Sequence, residues 1–442
     1  MLRRIYKRVA GLDVHKKTVT ATRMRITADE RLQWETETFG TTTPELLQLH
    51  DWLLAWECTH VAMESTGEYW KPVYNVLEDT FELLVVNAQH VHRVPGRKTD
   101  VTDAEWLAEL QLHGLLKASF VPPKPQRALR ELTRYRTRLV QERVRVVNRV
   151  QKLLEGANIK LSSVASDIMG VSGRAMLAEI VDGSTDAAAL ADLARGRMRS
   201  KIPALKQALT GRVGDHHRFL LAKQLAHIDF LDEQIADLET AIERQIETLP
   251  PLAGAPEAPT DAGATPAGEP DDEPLTWTKA MVLLCSIPGV DFHTAAVILA
   301  EIGIDMNQFP TAGHLAAWAG VAPGNHESAG KRYSGRTRKG NRALTSALVQ
   351  AAWGAVRTKG TFLKARYHRL AARRGKKRAI VAVAHSMLVS IWHMLTLRQP
   401  YRELGSDFFD ERKREATVSY LTRRLEKLTG GEVRIELQTA AT

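Results

Sequence analysis

The feature that most constrains this fold is the order of apolar runs in the first 116 residues. Three strand-like runs rich in Thr, Val and aromatic residues come first. Helical and strand-like runs then alternate, which gives the order βββαβαβα. Such an order predicts a mixed sheet with helices packed on it. The expected strands are 9–14, 18–26, 32–39, 58–63 and 81–88, and the expected helices are 44–56, 67–77 and 103–116.

Composition and charge favour a protein that binds a polyanion. The chain has 442 residues, enough for two or three domains, and a formal net charge of +10, which points to nucleic acid first. Its two cysteines, Cys58 and Cys285, form no metal-ligand spacing and no disulfide framework, as expected in the cytoplasm. The longest apolar run, 379–395, is interrupted by Ser and His. It therefore predicts a buried helix rather than a membrane span.

Four acidic residues stand at the ends of predicted elements. Asp13 lies near the end of the first strand, Glu64 follows the fourth, and Asp100 and Asp103 open the last helix. The carboxyl ends of strands meet at one edge of such a sheet, so these carboxylates are expected to lie together. Hard oxygen ligands suit Mg²⁺ or Mn²⁺ rather than zinc, whereas any single acid would serve as a cap. Glu68, one turn after Glu64, is assigned to solvent or to a cap.

Three motifs that contain these acids resemble the motif blocks of a transposase family. They are Gly11-Leu-Asp-Val-His-Lys-Lys17, Glu64-Ser-Thr-Gly-Glu-Tyr-Trp70 and Lys98-Thr-Asp-Val-Thr-Asp-Ala104. They resemble the DEDD transposases of the insertion-sequence family "one-ten", whose N-terminal domain is RuvC-like with a ribonuclease H fold. The resemblance implies that Asp13, Glu64, Asp100 and Asp103 bind the metal. A basic loop ahead of the last two acids suggests a nearby phosphate; it contains Arg93, Arg97 and Lys98.

Two heptad patterns occupy the middle of the chain. Their apolar residues are Leu132, Leu139, Val146 and Leu153, and then Leu221, Ile228, Ile235, Ile242 and Leu249. Heptads with charged flanks predict a coiled coil, within the chain or between subunits, or a plain helical bundle. The resemblance favours a coil that joins subunits into a dimer or tetramer. Residues 250–274 are rich in Pro, Ala and Gly and are expected to form a flexible linker without chemistry.

A basic block dominates the C-terminal region. Between Lys331 and Arg378 there are sixteen Lys and Arg, and no acidic residue occurs from Ser328 to Arg402. A block of one sign with interspersed aromatic residues predicts a phosphate-binding surface. The expected nucleic-acid contacts are Lys331, Arg332, Arg336, Arg338, Lys339 and Arg342. Upstream, the Ile287-Pro-Gly-Val290 turn fits a DNA-binding helix-hairpin-helix or a simple connection between helices.

Two serines, Ser328 and Ser334, lie in the loop that opens the basic block. A loop serine usually closes a turn, and a nucleophile would need a base or a metal to activate it. Gly320-Val-Ala-Pro323, Ser328 and the run 334–341 resemble the family's C-terminal transposase domain, which carries a catalytic serine. The resemblance assigns this role to Ser328, with Ser334 as the alternative.

The expected architecture is α/β plus α. A ribonuclease H-like (RuvC-like) mixed sheet is expected at 1–120, a helical coiled-coil region at 121–250, the linker at 251–275 and a mainly helical transposase domain at 276–442. By resemblance, the chain recombines double-stranded DNA with a Mg²⁺-assisted serine. It would be guided by a structured bridge RNA and act as a cytoplasmic homo-oligomer without a membrane partner. Two other classes remain open: a water-using metal nuclease such as a junction resolvase, and a non-catalytic nucleic-acid-binding protein.

Overall fold

The structure, a computed structural model, describes residues 5–65, 67–87, 102–253, 273–324, 326–328, 330–411 and 414–433. For residues 326–328, 332–333, 410 and 415–417 it describes the backbone alone. The chain divides into two compact units, Met1–Pro122 and Pro123–Thr442. The helical middle and the C-terminal region, which sequence analysis treats as separate domains, therefore belong to one unit.

The first unit is a five-stranded mixed sheet with helices on both faces. Its strands are β1 (Arg8–Val14), β2 (Thr18–Ile26), β3 (Leu32–Gly40), β4 (His60–Glu64) and β5 (Glu82–Val86), in the order β3-β2-β1-β4-β5. β2 is antiparallel to both β1 and β3, whereas β4 is parallel to both β1 and β5. The described helices are α1 (Thr43–Leu54), α2 (Trp70–Leu77) and α3 (Asp103–Leu112). The predicted mixed sheet and order of elements are confirmed.

The two faces of this sheet bury different helices, because side chains alternate along each strand. On one face, Leu12 and Val14 pack in a core that includes Leu49 of α1. On the other face, Val9 packs with Leu112 of α3.

Two long antiparallel helices dominate the first part of the second unit. They are α4 (Lys124–Gly156) and α9 (Asp215–Thr248). Arg136 of α4 donates to Glu239 of α9 (3.0 Å), and Arg143 donates to Asp232 (3.1 Å). Arg143 follows Arg136 on α4, whereas its partner Asp232 precedes Glu239 on α9, so the two helices are antiparallel. The two heptad patterns therefore pair within the chain.

Short helices cap the far end of this pair and share its hydrophobic core. They are α5 (Leu161–Val164), α6 (Val171–Val181), α7 (Ala187–Asp192), a 3₁₀ turn (Gly196–Lys201) and α8 (Ile202–Ala208). The region from α4 to α9 therefore forms a helical hairpin with a small helical tip, rather than two bare helices.

The rest of the second unit is a helical bundle around α15 (Lys376–Leu397). The other elements are α10 (Trp277–Cys285), α11 (Phe292–Ile302), a 3₁₀ turn (Met306–Gln308), α12 (Ala312–Ala319), β6 (His326–Ser328), β7 (Lys331–Ser334), α13 (Arg342–Arg357), α14 (Phe362–Arg374), α16 (Phe408–Glu411) and α17 (Arg414–Thr429). Among the described helices, α15 alone has the length and apolarity to cross a membrane. It packs against α10, α12, α13 and α14, and Trp392 donates to the Phe309 carbonyl (2.9 Å). It is a core helix, as its polar interruptions predict.

The turn between α10 and α11 is packed against α13. Gly289 has a positive φ of 84°, and a Cβ there would overlap the backbone of Ala351 and Ala355. Ile287 and Val290 on either side are buried. This geometry is that of a tight connection between helices, one of the two interpretations the turn sequence allows.

The two ends of the predicted linker pair with each other. Leu252 and Leu275 exchange both backbone hydrogen bonds in an isolated antiparallel bridge, with N···O distances of 2.9 and 3.2 Å. Leu275 is fully buried. Residues 254–272, most of the predicted linker, lie outside the described residues. The two ends of this insertion therefore meet where it leaves the helical unit.

Candidate active site

The register of the sheet sets Asp13 and Glu64 side by side. β1 and β4 are parallel, and Leu12 pairs with Met63, one residue before each acid. Leu12 and Met63 both point into the core on the α1 face. Because side chains alternate, Asp13 and Glu64 project from the opposite face, at the carboxyl end of neighbouring strands. This is the arrangement expected from the sequence.

Helix α3 crosses that face antiparallel to β1, and Gly11 makes the close crossing possible. A Cβ on Gly11 would overlap the Ala104 carbonyl oxygen and the Ala108 amide nitrogen. At the other end, the carbonyl of Leu112 accepts backbone bonds from residues 5 and 6 (2.9 and 3.2 Å). The helix therefore begins at the carboxyl edge of the sheet, and its first residue, Asp103, arrives at the edge that carries Asp13 and Glu64.

The carboxylates lie in a polar and partly exposed setting. The Asp13 side chain is 25% exposed, and its Oδ2 lies 3.2 Å from Nε2 of His15. Thr102 caps α3 by accepting the backbone N–H of Glu105 (3.2 Å). Because Thr102 supplies the cap, Asp103 is not needed for that role.

Asp13, Glu64 and Asp103 offer carboxylate oxygens, which are the ligands that Mg²⁺ and Mn²⁺ prefer. Within the described residues, no group of three or more His, Cys, Asp or Glu side chains is close enough to hold a metal ion by itself. Asp100 and the basic residues Arg93, Arg97 and Lys98 lie outside the described residues. Glu68 forms a surface ion pair with Lys71. It therefore lies at the surface, as expected for a residue with no part in the metal site.

In the second unit, the tight hairpin β6–β7 carries both candidate serines. Ser328 is the last residue of β6 and pairs with Lys331, and His326 pairs with Ser334. Gly330, with a positive φ of 74°, makes the turn between the strands. Ser328 is thus at the tip and Ser334 at the base; the side chain of Ser328 lies outside the described part of the chain. The Ser334 hydroxyl accepts the backbone N–H of Arg336 (3.1 Å), which is the ordinary role of a turn serine.

Glycines hold the two arms that lead into this hairpin in close contact. A Cβ on Gly324 would overlap the carbonyl of Arg336, and a Cβ on Gly340 would overlap the backbone of Ala319 and Gly320. The incoming run 319–324 and the outgoing run 336–340 therefore pack backbone against backbone. Glycine is required along this seam because no side chain fits between the two runs.

A buried ionic network holds the end of the outgoing arm. Glu301, at the end of α11, is completely buried. Arg134 of α4 binds both of its carboxylate oxygens (2.6 and 2.9 Å), and Arg130 adds a third contact (3.1 Å). The Asn341 amide also donates to Glu301 (2.6 Å), while the Asn341 side-chain oxygen caps α13 by accepting the N–H of Leu344 (3.1 Å).

This network, called the Glu301 clasp below, consists of Glu301, Arg130, Arg134 and Asn341. It ties α4 to the residue where the basic loop ends and α13 begins. Burial lowers the pKa of the Arg130 guanidinium to about 10, and the charge of Glu301 opposes that shift. Sequence reasoning missed the clasp entirely. The available signal was one acidic residue in an otherwise apolar helix, since such a residue needs a charged partner when it is buried.

The basic residues expected to contact nucleic acid are on the surface. The side chains of Lys331, Arg336, Arg338, Lys339 and Arg342 are all exposed. Arg332 lies on β7, and its side chain lies outside the described part. The outgoing arm therefore presents several cations in a short run beside the serine hairpin.

Two family models match the chain in the regions that carry these features. A DEDD transposase model of the IS110 type, described as "Transposase", matches residues 10–159, which include all four acids and α4. A second model, described as "Transposase IS116/IS110/IS902 family", matches residues 281–368, which include the serine hairpin. Sheet, motifs and both matches define a transposase. The chain belongs to the IS110 family, the "one-ten" family that its motifs resemble.

Relatives match most of the chain. A transposase for insertion sequence element IS1111A from Coxiella burnetii is 27% identical over 355 residues, 77% of this chain and 79% of that protein. A probable family 20 transposase from Pseudomonas aeruginosa is 24% identical over 348 residues, 77% of this chain and 85% of that protein. An insertion element IS116 protein of 44.8 kDa from Streptomyces clavuligerus is 27% identical over 352 residues, 71% and 78% of the two chains. Transposases act on DNA, which agrees with the basic composition.

Proposed function

We propose that this chain is the transposase of an insertion-sequence element and that it cuts and rejoins double-stranded DNA with Ser328 as nucleophile. The observation that carries the proposal is that Asp13 and Glu64 stand at neighbouring strand ends on one face of the sheet, and that α3, which starts with Asp103, begins at the same edge. The strand order β3-β2-β1-β4-β5, in which β2 alone runs opposite to the other four strands, supports a ribonuclease H-like fold for this unit. The position of Ser328 at the tip of a hairpin beside exposed cations supports its role.

In the proposed reaction, the Ser328 hydroxyl attacks the scissile phosphorus and loses its proton. The bond from phosphorus to the 3′ oxygen breaks, and that oxygen leaves and takes up a proton. The product is a phosphoserine ester on one DNA end and a free 3′ hydroxyl on the other. Because the ester conserves the energy of the phosphodiester, attack by a new 3′ hydroxyl rejoins DNA without ATP and regenerates the serine.

Asp13, Glu64, Asp100 and Asp103 would hold Mg²⁺ or Mn²⁺ in this proposal. The bound ion would supply Lewis-acid stabilisation of charge on oxygens of the reacting phosphate. Lys331, Arg332, Arg336, Arg338, Lys339 and Arg342 would bind phosphates and position the DNA. Guidance by a bridge RNA, assembly as a homo-oligomer and a cytoplasmic location complete the proposal, on the strength of the family resemblance.

The first test replaces single groups and measures strand cleavage in Mg²⁺. Asp13→Asn and Asp103→Asn each remove one charge without a change in shape. We expect each to abolish cleavage, as chelation of the metal should, while binding of DNA remains. The matched control, Glu68→Gln, removes an acid of the motif Glu64–Trp70 that pairs with Lys71 at the surface, and it should cleave normally. Cleavage at the wild-type rate in either Asp variant would overturn the metal assignment.

The second test separates the serine mechanism from the alternatives. Ser328→Ala should lose both cleavage and the covalent DNA adduct, and Ser334→Ala should keep both. If the double variant still cuts DNA, water is the nucleophile and the protein is a metal-dependent nuclease. If wild-type protein binds DNA but never cuts it with Mg²⁺ and guide RNA present, the protein is a non-catalytic binder. An adduct that survives in Ser328→Ala and disappears in Ser334→Ala transfers the role to Ser334.

A mixing experiment tests whether subunits share the reaction. Ser328→Ala protein and Asp13→Asn protein are each expected to be inactive alone. In a mixed oligomer, cleavage should return if one subunit supplies the serine and another the carboxylates. The DNA should then be attached to the Asp13→Asn subunit, which keeps its serine. No recovery in an oligomer confirmed to be mixed would mean that both groups come from one chain.

A further inference from the structure

The helical hairpin of the second unit carries charges of opposite sign on its two long helices. α4 contains ten Lys and Arg against three Glu, whereas α9 contains eight Asp and Glu against three Lys and Arg. Some of the cations of α4 form ion pairs within the chain. Arg130 and Arg134 are bound in the Glu301 clasp, and Arg136 and Arg143 pair with acids of α9. Within the described residues, four of the remaining cations of α4 form no such pair.

An exposed row of cations runs along the outer side of α4. Arg138, Arg145, Arg149 and Lys152 are separated by seven, four and three residues, which sets them on one side of a helix. All four are exposed, and none forms a salt bridge or side-chain hydrogen bond in the described structure. At 1.5 Å per residue the row is about 21 Å long. Glu142, half-buried, is the one acid between its ends.

A second group of cations lies at the tip of the hairpin. Between Leu193 and Gly214 there are six Lys and Arg and no acid, and all six are exposed. They are Arg195, Arg197, Arg199, Lys201, Lys206 and Arg212. The backbone N–H of Arg212 donates to the carbonyl of Ala157 (2.8 Å), directly after the end of α4. This contact places Arg212 of the tip group beside the end of α4, at Ala157, five residues after Lys152, the last residue of the row.

The tip group is also held in place. The backbone N–H of Arg195 donates to the Ser172 hydroxyl (2.9 Å), and the Lys201 ammonium donates to the carbonyl of Val164 (2.8 Å). These contacts attach the 3₁₀ turn to α5 and α6. The tip, residues 160–213, lies entirely outside the two segments that match the family models. The family match therefore assigns nothing to this group of cations.

We propose that the row on α4 and the tip group, together the basic edge, form a second nucleic-acid surface that holds the backbone of a double helix. Lys and Arg that neutralise phosphates bind any sequence. A double helix is preferred because surfaces for single strands need aromatic side chains on which bases stack. No Phe, Tyr or Trp occurs from Arg136 to Asp215, in contrast to the basic block at 331–378. The proposal requires neither the serine nor the metal.

The test measures how the affinity of the full chain for nucleic acid depends on salt. The first variant replaces the four cations of the row: Arg138→Gln, Arg145→Gln, Arg149→Gln and Lys152→Gln. Glutamine keeps a good helix former at each exposed position, so the unfolding temperature should not change. On a duplex, the slope of log affinity against log salt should become shallower by about three to four, and affinity should fall at least about tenfold.

The matched control neutralises the same number of exposed charges on the other long helix: Glu233→Gln, Asp237→Asn, Glu243→Gln and Glu247→Gln. This variant should leave the slope unchanged. If it instead strengthens binding as much as the first variant weakens it, total charge rather than the basic edge governs affinity, and the proposal fails. A variant of the tip group, Arg195→Gln, Arg197→Gln and Arg199→Gln, gives an independent measurement should the first variant be unstable.

Three probes identify the bound strand: a DNA duplex, an RNA duplex of the same sequence and single-stranded oligo-dT. If the variant of the row has a shallower slope than wild type on either duplex, the proposal is supported. The duplex that shows the change identifies the bound nucleic acid as DNA or RNA. An unchanged slope on both duplexes, or a loss confined to the single strand, overturns it. Since all measurements concern binding without metal, they stand even if the protein cleaves no DNA.

Discussion

The carboxylate edge of the first unit and the serine hairpin of the second unit are held in place by different means. In the first unit, hydrogen-bonded strands and one helix packed over Gly11 bring Asp13, Glu64 and Asp103 to a common edge. In the second unit, the serine hairpin stands on two irregular arms that glycines and the Glu301 clasp hold together. The carboxylate edge is therefore part of the fold itself. The serine hairpin is held instead by a few contacts outside regular secondary structure.

This difference suits the proposed chemistry. A metal site needs oxygen atoms at fixed positions, and a sheet supplies fixed positions. A nucleophile that becomes covalently attached to DNA and is later released must accept more than one arrangement of its loop. We therefore expect substitutions in the sheet to act mainly on stability, and substitutions within the arms 319–324 and 336–340 to act mainly on the loop.

The largest expected effect comes from Glu301→Ala, which leaves Arg130 and Arg134 without their buried partner. Loss of one member of a buried ion pair destabilises a protein by about 3–5 kcal/mol. Chemical denaturation should show a loss of this size, and strand cleavage should fall with it.

The control is Glu239→Ala. Glu239 of α9 forms a partly exposed ion pair with Arg136 of α4 and also lies 3.3 Å from Nε2 of His293. This change should cost less than about 1 kcal/mol. Equal losses in the two variants would mean that the clasp holds the loop no more firmly than an ordinary surface pair.

A pair of glycine substitutions compares the two regions directly. Gly11→Ala and Gly324→Ala each place a methyl group against a backbone carbonyl oxygen. At Gly11 the carbonyl belongs to a helix packed on a sheet, so the overlap should cost about 1–3 kcal/mol or more. At Gly324 the carbonyl belongs to an irregular arm that can shift, so stability should fall less while cleavage falls more.

Thermal unfolding and strand cleavage, measured on both glycine variants, decide this comparison. If Gly324→Ala lowers the unfolding temperature as far as Gly11→Ala does, the arms are as rigid as the sheet. The contrast between the two regions would then be wrong.

The smallest effect on stability is expected for Asn341→Ser. Serine still caps α13, because its hydroxyl can accept the N–H of Leu344, but it lacks the amide that donates to Glu301. The free energy of unfolding should fall by less than about 1 kcal/mol. Limited trypsin digestion should nevertheless cut faster after Arg336, Arg338 and Lys339. Unchanged digestion would mean that Asn341 does not restrain the arm.

The sequence predicts most of the sheet and only part of the second unit. Strand positions follow from short apolar runs and runs rich in Thr, Val and aromatic residues. The positions of Asp13 and Glu64 follow from the rule that strand ends meet at one edge. That α3 runs antiparallel to β1 across Gly11 is a non-local contact, which local patterns do not reveal. The same holds for Glu301, whose partners lie about 167–171 and 40 residues away in the chain.

The heptads show the limit of periodicity. The spacing of Leu139 and Val146 predicts a buried seam, and both residues are buried. The same spacing leaves the partner open, because a seam within one chain and a seam between two chains have the same period. The partner follows instead from single charged contacts such as Arg143 with Asp232, which no periodic rule selects.

The bridge between Leu252 and Leu275 has a practical consequence for work on this transposase. Since the two ends of the insertion are already joined by paired backbone hydrogen bonds, its outer part can change in length without altering the distance spanned by the chain. A fluorescent reporter or an affinity tag can therefore be placed between residues 253 and 274. The same position offers new termini for a circular permutant or a split enzyme.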